Sequence, residues 1–141
     1  MSKTYIPKLL RRQIEAEAQY RCGYCQTQES IVGMPFVPDH LVPEALGGLT
    51  VRDNLWLACR RCNDYKGDRI SGIDTTTSSI VPLFNPRTQI WSEHFKWREK
   101  GVLIEGLTSC GRATVVALRL NNDYIVKSRR RWVSVGWHPP K

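Results

Sequence analysis

The chain has 141 residues, 41% hydrophobic and 24% charged. That is enough for one compact domain, or a small domain with an appended module, and too apolar for a disordered chain. No run of about 18 apolar residues is present to span a bilayer, and residues 1–10 lack the apolar core and cleavage site of a secretion signal, so a cytoplasmic protein is expected. The formal charge of +8 and a pI near 9.5 point to a polyanionic partner.

Residues 7–20 read as a helix, with Pro7 in the first turn and Leu10, Ile14 and Ala18 spaced i, i+4, i+8. Cys22-x-x-Cys25 follows at once. Residues 34–40 contain Pro35 and Pro38 and read as a short extended segment. Pro43 and the pair Gly47-Gly48 mark a loop over residues 41–53. Residues 54–58 are a short apolar run into Cys59-x-x-Cys62, and residues 63–68 form a helix ending near Gly67. The polar, Ser/Thr-rich stretch 71–82 reads as a connector. It divides the chain into residues 1–72 and 73–141, the second part either separate or packed on the first as one domain.

Beyond it, residues 94–97 and 102–107 pair as a hairpin turning at 98–101. Residues 111–120 form a helix with an apolar stripe at Ala113, Val116, Ala117 and Leu120. A last helix covers residues 123–135. Ile125, Val126, Trp132 and Val133 share one of its faces; Lys127, Arg130 and Arg131 lie on the other. Arg129 falls inside the apolar face, where it is expected to snorkel past Trp132 or pair with Glu93 or Glu105; a phosphate is its alternative partner. His94 and His138 read as structural or surface residues, and Cys110 as a small buried hydrophobe.

Charge is divided unevenly. Residues 1–80 hold 10 Lys/Arg and 9 Asp/Glu, whereas residues 81–141 hold 11 and 4. The second part thus carries the excess positive charge and is suited to gripping a nucleic-acid backbone through Lys127, Arg130 and Arg131.

Two Cys-x-x-Cys pairs in a chain without a secretion signal favour a metal over disulfides. Four thiolates offered in two knuckles suit one tetrahedral Zn²⁺ at a closed, structural site. A plain zinc ribbon has about 15–20 residues between its knuckles; here 33 residues, 26–58, intervene. That insertion carries Asp39, His40 and Asn54, and Asn63 follows the last cysteine. Singly, these polar residues are explained as turn or cap residues. Together, between two knuckles, they point to a site.

The run Asp39-His40-Leu41-Val42-Pro43, then Gly47-Gly48, Asp53-Asn54-Leu55, and Cys59-Arg60-Arg61-Cys62-Asn63-x-x-Lys66-Gly67-Asp68 resembles the HNH (His-Asn-His) endonuclease signature in its four-cysteine form. The resemblance covers residues 22–68, about a third of the chain. It implies an α+β fold: a zinc-clamped ββα-metal core with an N-terminal helix, extended by a β-hairpin and two helices. It further implies a DNA phosphodiesterase leaving 5′-phosphate and 3′-hydroxyl ends. A phosphodiester resists hydrolysis because its charge repels the nucleophile and its leaving group is poor; one Mg²⁺ or Mn²⁺ eases both. By the resemblance, Asp39 and Asn63 hold that ion, His40 takes the proton of the attacking water, and Asn54 bonds across the loop to orient His40. Arg60, Arg61 and Lys66 are phosphate candidates. Phe84-Asn85-Pro86-Arg87, Trp91, His94-Phe95, Gly106-Leu107-Thr108 and the run 111–115 resemble the tail that follows this motif in one group of bacterial proteins. The competing readings are a zinc-knuckle module that binds nucleic acid without cutting it, and a nuclease subunit active only in a larger assembly. Monomer and homodimer are both compatible with the sequence.

Overall fold

A computed structural model describes residues 5–141. The reading of residues 1–10 as lacking a secretion signal falls in part on residues 1–4, outside the described residues. No described helix is long and apolar enough to cross a membrane.

Helix α1 (Lys8–Glu17) starts after Pro7 and buries Ile14. It stops where Gln19 and Tyr20 take positive φ, 54° and 56°. A single turn, α2 (Glu29–Val32), follows the first knuckle. Strands β1 (Val37–His40) and β2 (Leu55–Ala58) pair antiparallel, Val37 opposite Ala58 and His40 opposite Leu55. The 14 residues between them are held by two short 3₁₀ turns. Helix α3 (Arg60–Lys66) begins earlier than its apolar pattern implies, because the Cys59 sulfur caps it by accepting from the Cys62 N–H at 3.4 Å. With β1–β2 it makes the expected ββα unit of an α+β fold.

Residues 71–82 are not a connector. They form the hairpin β3 (Ser71–Asp74) and β4 (Ser79–Pro82). Its turn is built by Asp74, whose carboxylate accepts from Thr76 N and the Thr77 hydroxyl and receives the Arg112 guanidinium as a fork at 2.9 and 3.0 Å. Ser and Thr here supply turn bonds, which composition alone reads as a linker.

A helical turn, α4 (Trp91–His94), leads into β5 (Phe95–Arg98), paired antiparallel with β6 (Leu103–Gly106). Helix α5 (Ser109–Ala117) is capped by Thr108, and α6 (Asp123–Ser134) by Asn122. The stripe expected on α5 is corrected in part: Val116 is exposed, and the inward face is Gly111, Ala113 and Thr114. Close packing on β6 and α4 selects that face, since a Cβ at Gly106 would lie 2.4 Å from Arg112 N and one at Gly111 2.1 Å from the His94 carbonyl oxygen.

One hydrophobic cluster draws on both parts of the chain. Ile14, Leu55, Leu57 and the four knuckle cysteines join Phe84, Phe95, Ile104, Leu118 and Leu120. Two polar stitches cross it. Arg87 donates to the Leu55 carbonyl at 3.0 Å and to Glu17, with its guanidinium 4.8 Å from the Trp56 ring centre. The Trp91 indole N–H donates to the Tyr24 carbonyl at 2.9 Å.

Candidate active site and metal centre

The two knuckles bring Cys22, Cys25, Cys59 and Cys62 together, all buried, with sulfurs within 4.8 Å of one another. A tetrahedral ion with Zn–S bonds of about 2.3 Å needs sulfurs roughly 3.8 Å apart; Cys25 and Cys59 stand at 3.7 Å. Burial pushes the Cys22 thiol up, while hydrogen bonds from Cys22, Cys59 and Cys62 hold Cys25 low. Four sulfurs packed together in one dry place are in the condition a divalent cation relieves. Geometry and chemistry both fit zinc.

Some residues away, β1 presents Asp39 and His40. Successive strand residues face opposite ways, and these two meet different partners. Asp39, 4% exposed, accepts from the Tyr24 hydroxyl at 2.7 Å and faces the Lys66 ammonium at 3.3 and 3.4 Å. Burial pushes its carboxyl up, opposed by Lys66 and Tyr24. Burial likewise raises the Tyr24 phenol, which stays protonated as the donor. Lys66 also donates to the His40 carbonyl at 3.1 Å, so α3 is tied to both residues. The His40 ring turns to the loop, with Nε2 2.9 Å from the Thr50 hydroxyl and 3.5 Å from a Glu44 carboxylate oxygen.

Asn54 fastens that loop. Its side chain accepts from Val42 N and donates to the carbonyls of Val42 and Leu49, at 2.8–2.9 Å. Only glycine fits beneath it: a Cβ at Gly48 would lie 1.7 Å from the Val42 oxygen and 2.9 Å from the Asn54 amide nitrogen. Asn54 therefore reaches His40 through the loop backbone, not through the ring.

The family model for HNH endonuclease matches residues 22–69. These residues form an HNH endonuclease domain. No curated protein and no solved structure matches the chain. An HNH domain implies nuclease activity, and its four-cysteine cluster is a potential zinc site.

Within the HNH domain, Asn63 lies partly exposed on α3, one turn before Lys66. Two phosphate candidates need restating, and a third stays at the surface. Lys66 is 2% exposed and engaged with Asp39, so it is a buried ion-pair partner and not a surface contact. Arg61 points its guanidinium at Cys25, with Nη2 3.6 Å from the sulfur. Arg60 is exposed, with Nε 3.3 Å from the Pro35 carbonyl. In the tail, Lys127, Arg130 and Arg131 are exposed on α6. Arg129 corrects its expectation: it is fully buried and meets neither Glu93 nor Glu105, the latter engaged by Lys96 and Arg98. Tyr24, Glu44 and Thr50 escape sequence reasoning. The i, i+4 spacing of His40 and Glu44 was their one local signal.

Proposed function

We propose that this chain is a metal-dependent endonuclease that hydrolyses phosphodiester bonds in DNA. The observation that carries this reading is the junction of β1 with α3: Asp39 and His40 on the strand, Asn63 on the helix, and Lys66 joining the two elements through the Asp39 carboxylate and the His40 carbonyl. The donors fit a hard divalent ion in kind. Asp39 would give a carboxylate oxygen and Asn63 an amide oxygen, the rest of the shell being water; Lys66 would then share the Asp39 carboxylate with that ion. When bound, Mg²⁺ or Mn²⁺ supplies positive charge at a nonbridging and at the leaving oxygen.

His40 does the proton work. With Nε2 held by Thr50 and Glu44, Nδ1 is the nitrogen that takes a proton from water. The water oxygen bonds phosphorus as the P–O3′ bond breaks, and the leaving alkoxide takes a proton from solvent. Exposed Arg60 and the α6 cations Lys127, Arg130 and Arg131 hold the backbone. Acting in the cytoplasm with one such site per chain, the enzyme nicks a single strand at each encounter.

The burial of Asp39 against Lys66 favours a second reading, a module that binds nucleic acid without cutting. Supercoiled plasmid separates the two. With Mg²⁺ or Mn²⁺ the wild type should nick it, samples without added divalent ion should not, and His40→Ala should be slower by about 10²–10⁴-fold. Omission is preferable to EDTA, which also attacks the thiolate centre. Intact plasmid in every sample together with a salt-sensitive gel shift would establish the binding module instead.

A further inference from the structure

Tyr24 is fully buried between Cys22 and Cys25, and its main chain is fastened on both sides. Gly23 N donates to the Leu57 carbonyl of β2 at 2.9 Å, and the Tyr24 carbonyl accepts from the Trp91 indole N–H of α4 at 2.9 Å. These two bonds fix the point from which the ring projects. Its hydroxyl ends on Asp39, donating to Oδ2 at 2.7 Å. A buried phenol O–H needs an acceptor, and among the described residues this carboxylate is the one it has.

The two Asp39 oxygens are therefore unequal. The Lys66 ammonium straddles them, 3.3 Å from Oδ2 and 3.4 Å from Oδ1. Oδ2 alone has the phenol as well. A carboxylate oxygen offers about two acceptor directions, so Oδ2 has both taken while Oδ1 keeps one.

That asymmetry bears on which ion the carboxylate suits. Ca²⁺ takes a large, irregular oxygen shell and readily uses both oxygens of one carboxylate. Mg²⁺ and Mn²⁺ favour a tighter octahedral shell, filled largely by water. We propose that Tyr24 is a positioning residue that sets the ion preference of the site. By holding Oδ2 it leaves Asp39 to offer Oδ1 alone, which suits Mg²⁺ or Mn²⁺ and disfavours Ca²⁺. The inference rests on the ion site of Asp39 and Asn63 proposed above, and adds a selectivity that neither ligand carries by itself. The loop that gathers two of the clustered cysteines also aims the phenol.

Tyr24→Phe removes the hydroxyl and keeps the ring. Electron paramagnetic resonance of free Mn²⁺ measures binding to the whole chain without turnover, and added Ca²⁺ then measures preference by displacement. The Mn²⁺ counted is that lost in Asp39→Asn. In Tyr24→Phe the Ca²⁺ needed, relative to Mn²⁺, should fall about 10-fold. A hydroxyl that only steadies the fold would weaken both ions alike, so an unchanged ratio overturns the proposal and leaves the ion site standing. Equal Mn²⁺ binding by Asp39→Asn and wild type would remove the ion site, and the selectivity with it. Should Tyr24→Phe fail to fold, the wild type decides. Its infrared difference spectrum between Mg²⁺-bound and metal-free protein should show the widely split carboxylate stretches of single-oxygen coordination. The narrow splitting of two-oxygen coordination refutes the assignment.

Discussion

Some ionisable side chains in the interior of this protein are answered by an opposite charge or a hydrogen bond, and one that is not is informative. Asp39 has Lys66 and Tyr24, and Asp74 has Arg112, which holds its carboxyl down to about 2. His138 has no such partner. It is 3% exposed, no carboxylate among the described residues pairs with it, and it packs edge-on against Trp97 at 4.6 Å and Trp132 at 5.9 Å. Burial, aided by the Arg129 cation, pulls its pKa to about 4. An unfolded histidine binds its proton near 6.5, so between there and about 4 the unfolded chain takes up a proton that the folded chain refuses. Stability is therefore full above pH 6.5 and falls as pH drops toward 4, by at most about 3 kcal/mol from this residue. Melting temperatures of wild type and His138→Phe from pH 7.5 to 4.5 should separate, with the variant losing less. Parallel curves would show that His138 is not the group responsible.

At the scale of elements, side-chain caps mark the starts of α3, α5 and α6, and α6 has the fullest cap. Asn122 accepts from the N–H groups of Tyr124 and Ile125, both at 3.1 Å. Asn122→Ala should lower unfolding free energy by about 1 kcal/mol in a urea titration, with an unchanged m-value. A larger loss with a lower m-value would mean that α6 detaches as a unit. Legibility followed locality here. The extents of α1 and α6 and the β5–β6 hairpin lie close to their sequence patterns, because period and flanking turn residues act over a few positions. Hairpin β3–β4 was hidden, because its order comes from Arg112, 38 residues away from Asp74.

For the whole molecule, charge and core have different boundaries. The cluster of buried side chains runs through both parts of the chain, while the excess positive charge stays in residues 81–141. Lys127, Arg130 and Arg131 are exposed on α6, and the one ion pair they make among the described residues, Arg130 with Glu99 at 3.8 Å, is too exposed to neutralise much. Replacing all three with alanine should weaken DNA binding and reduce the slope of log affinity against log salt by about 3, roughly one per cation. Equal slopes for variant and wild type would place the DNA path elsewhere on the surface.

The sequence by itself determined the knuckles, the ββα order and the residues of the HNH signature, because metal ligands and turn glycines must recur at set spacings to reach one point. Tertiary structure alone decided which charge each polar residue answers. Lys66 and Arg61 read as phosphate candidates along the chain, and Arg129 as a snorkelling or ion-paired residue with phosphate its alternative, since a basic side chain looks the same whether it ends in water or in the core. Folding turned Lys66 onto Asp39 and Arg61 onto Cys25, and it sealed the Arg129 side chain of α6 against Val102, Asn121 and Trp97. Burial sets the strength of a charge's interactions, and burial depends on contacts between residues far apart in the chain.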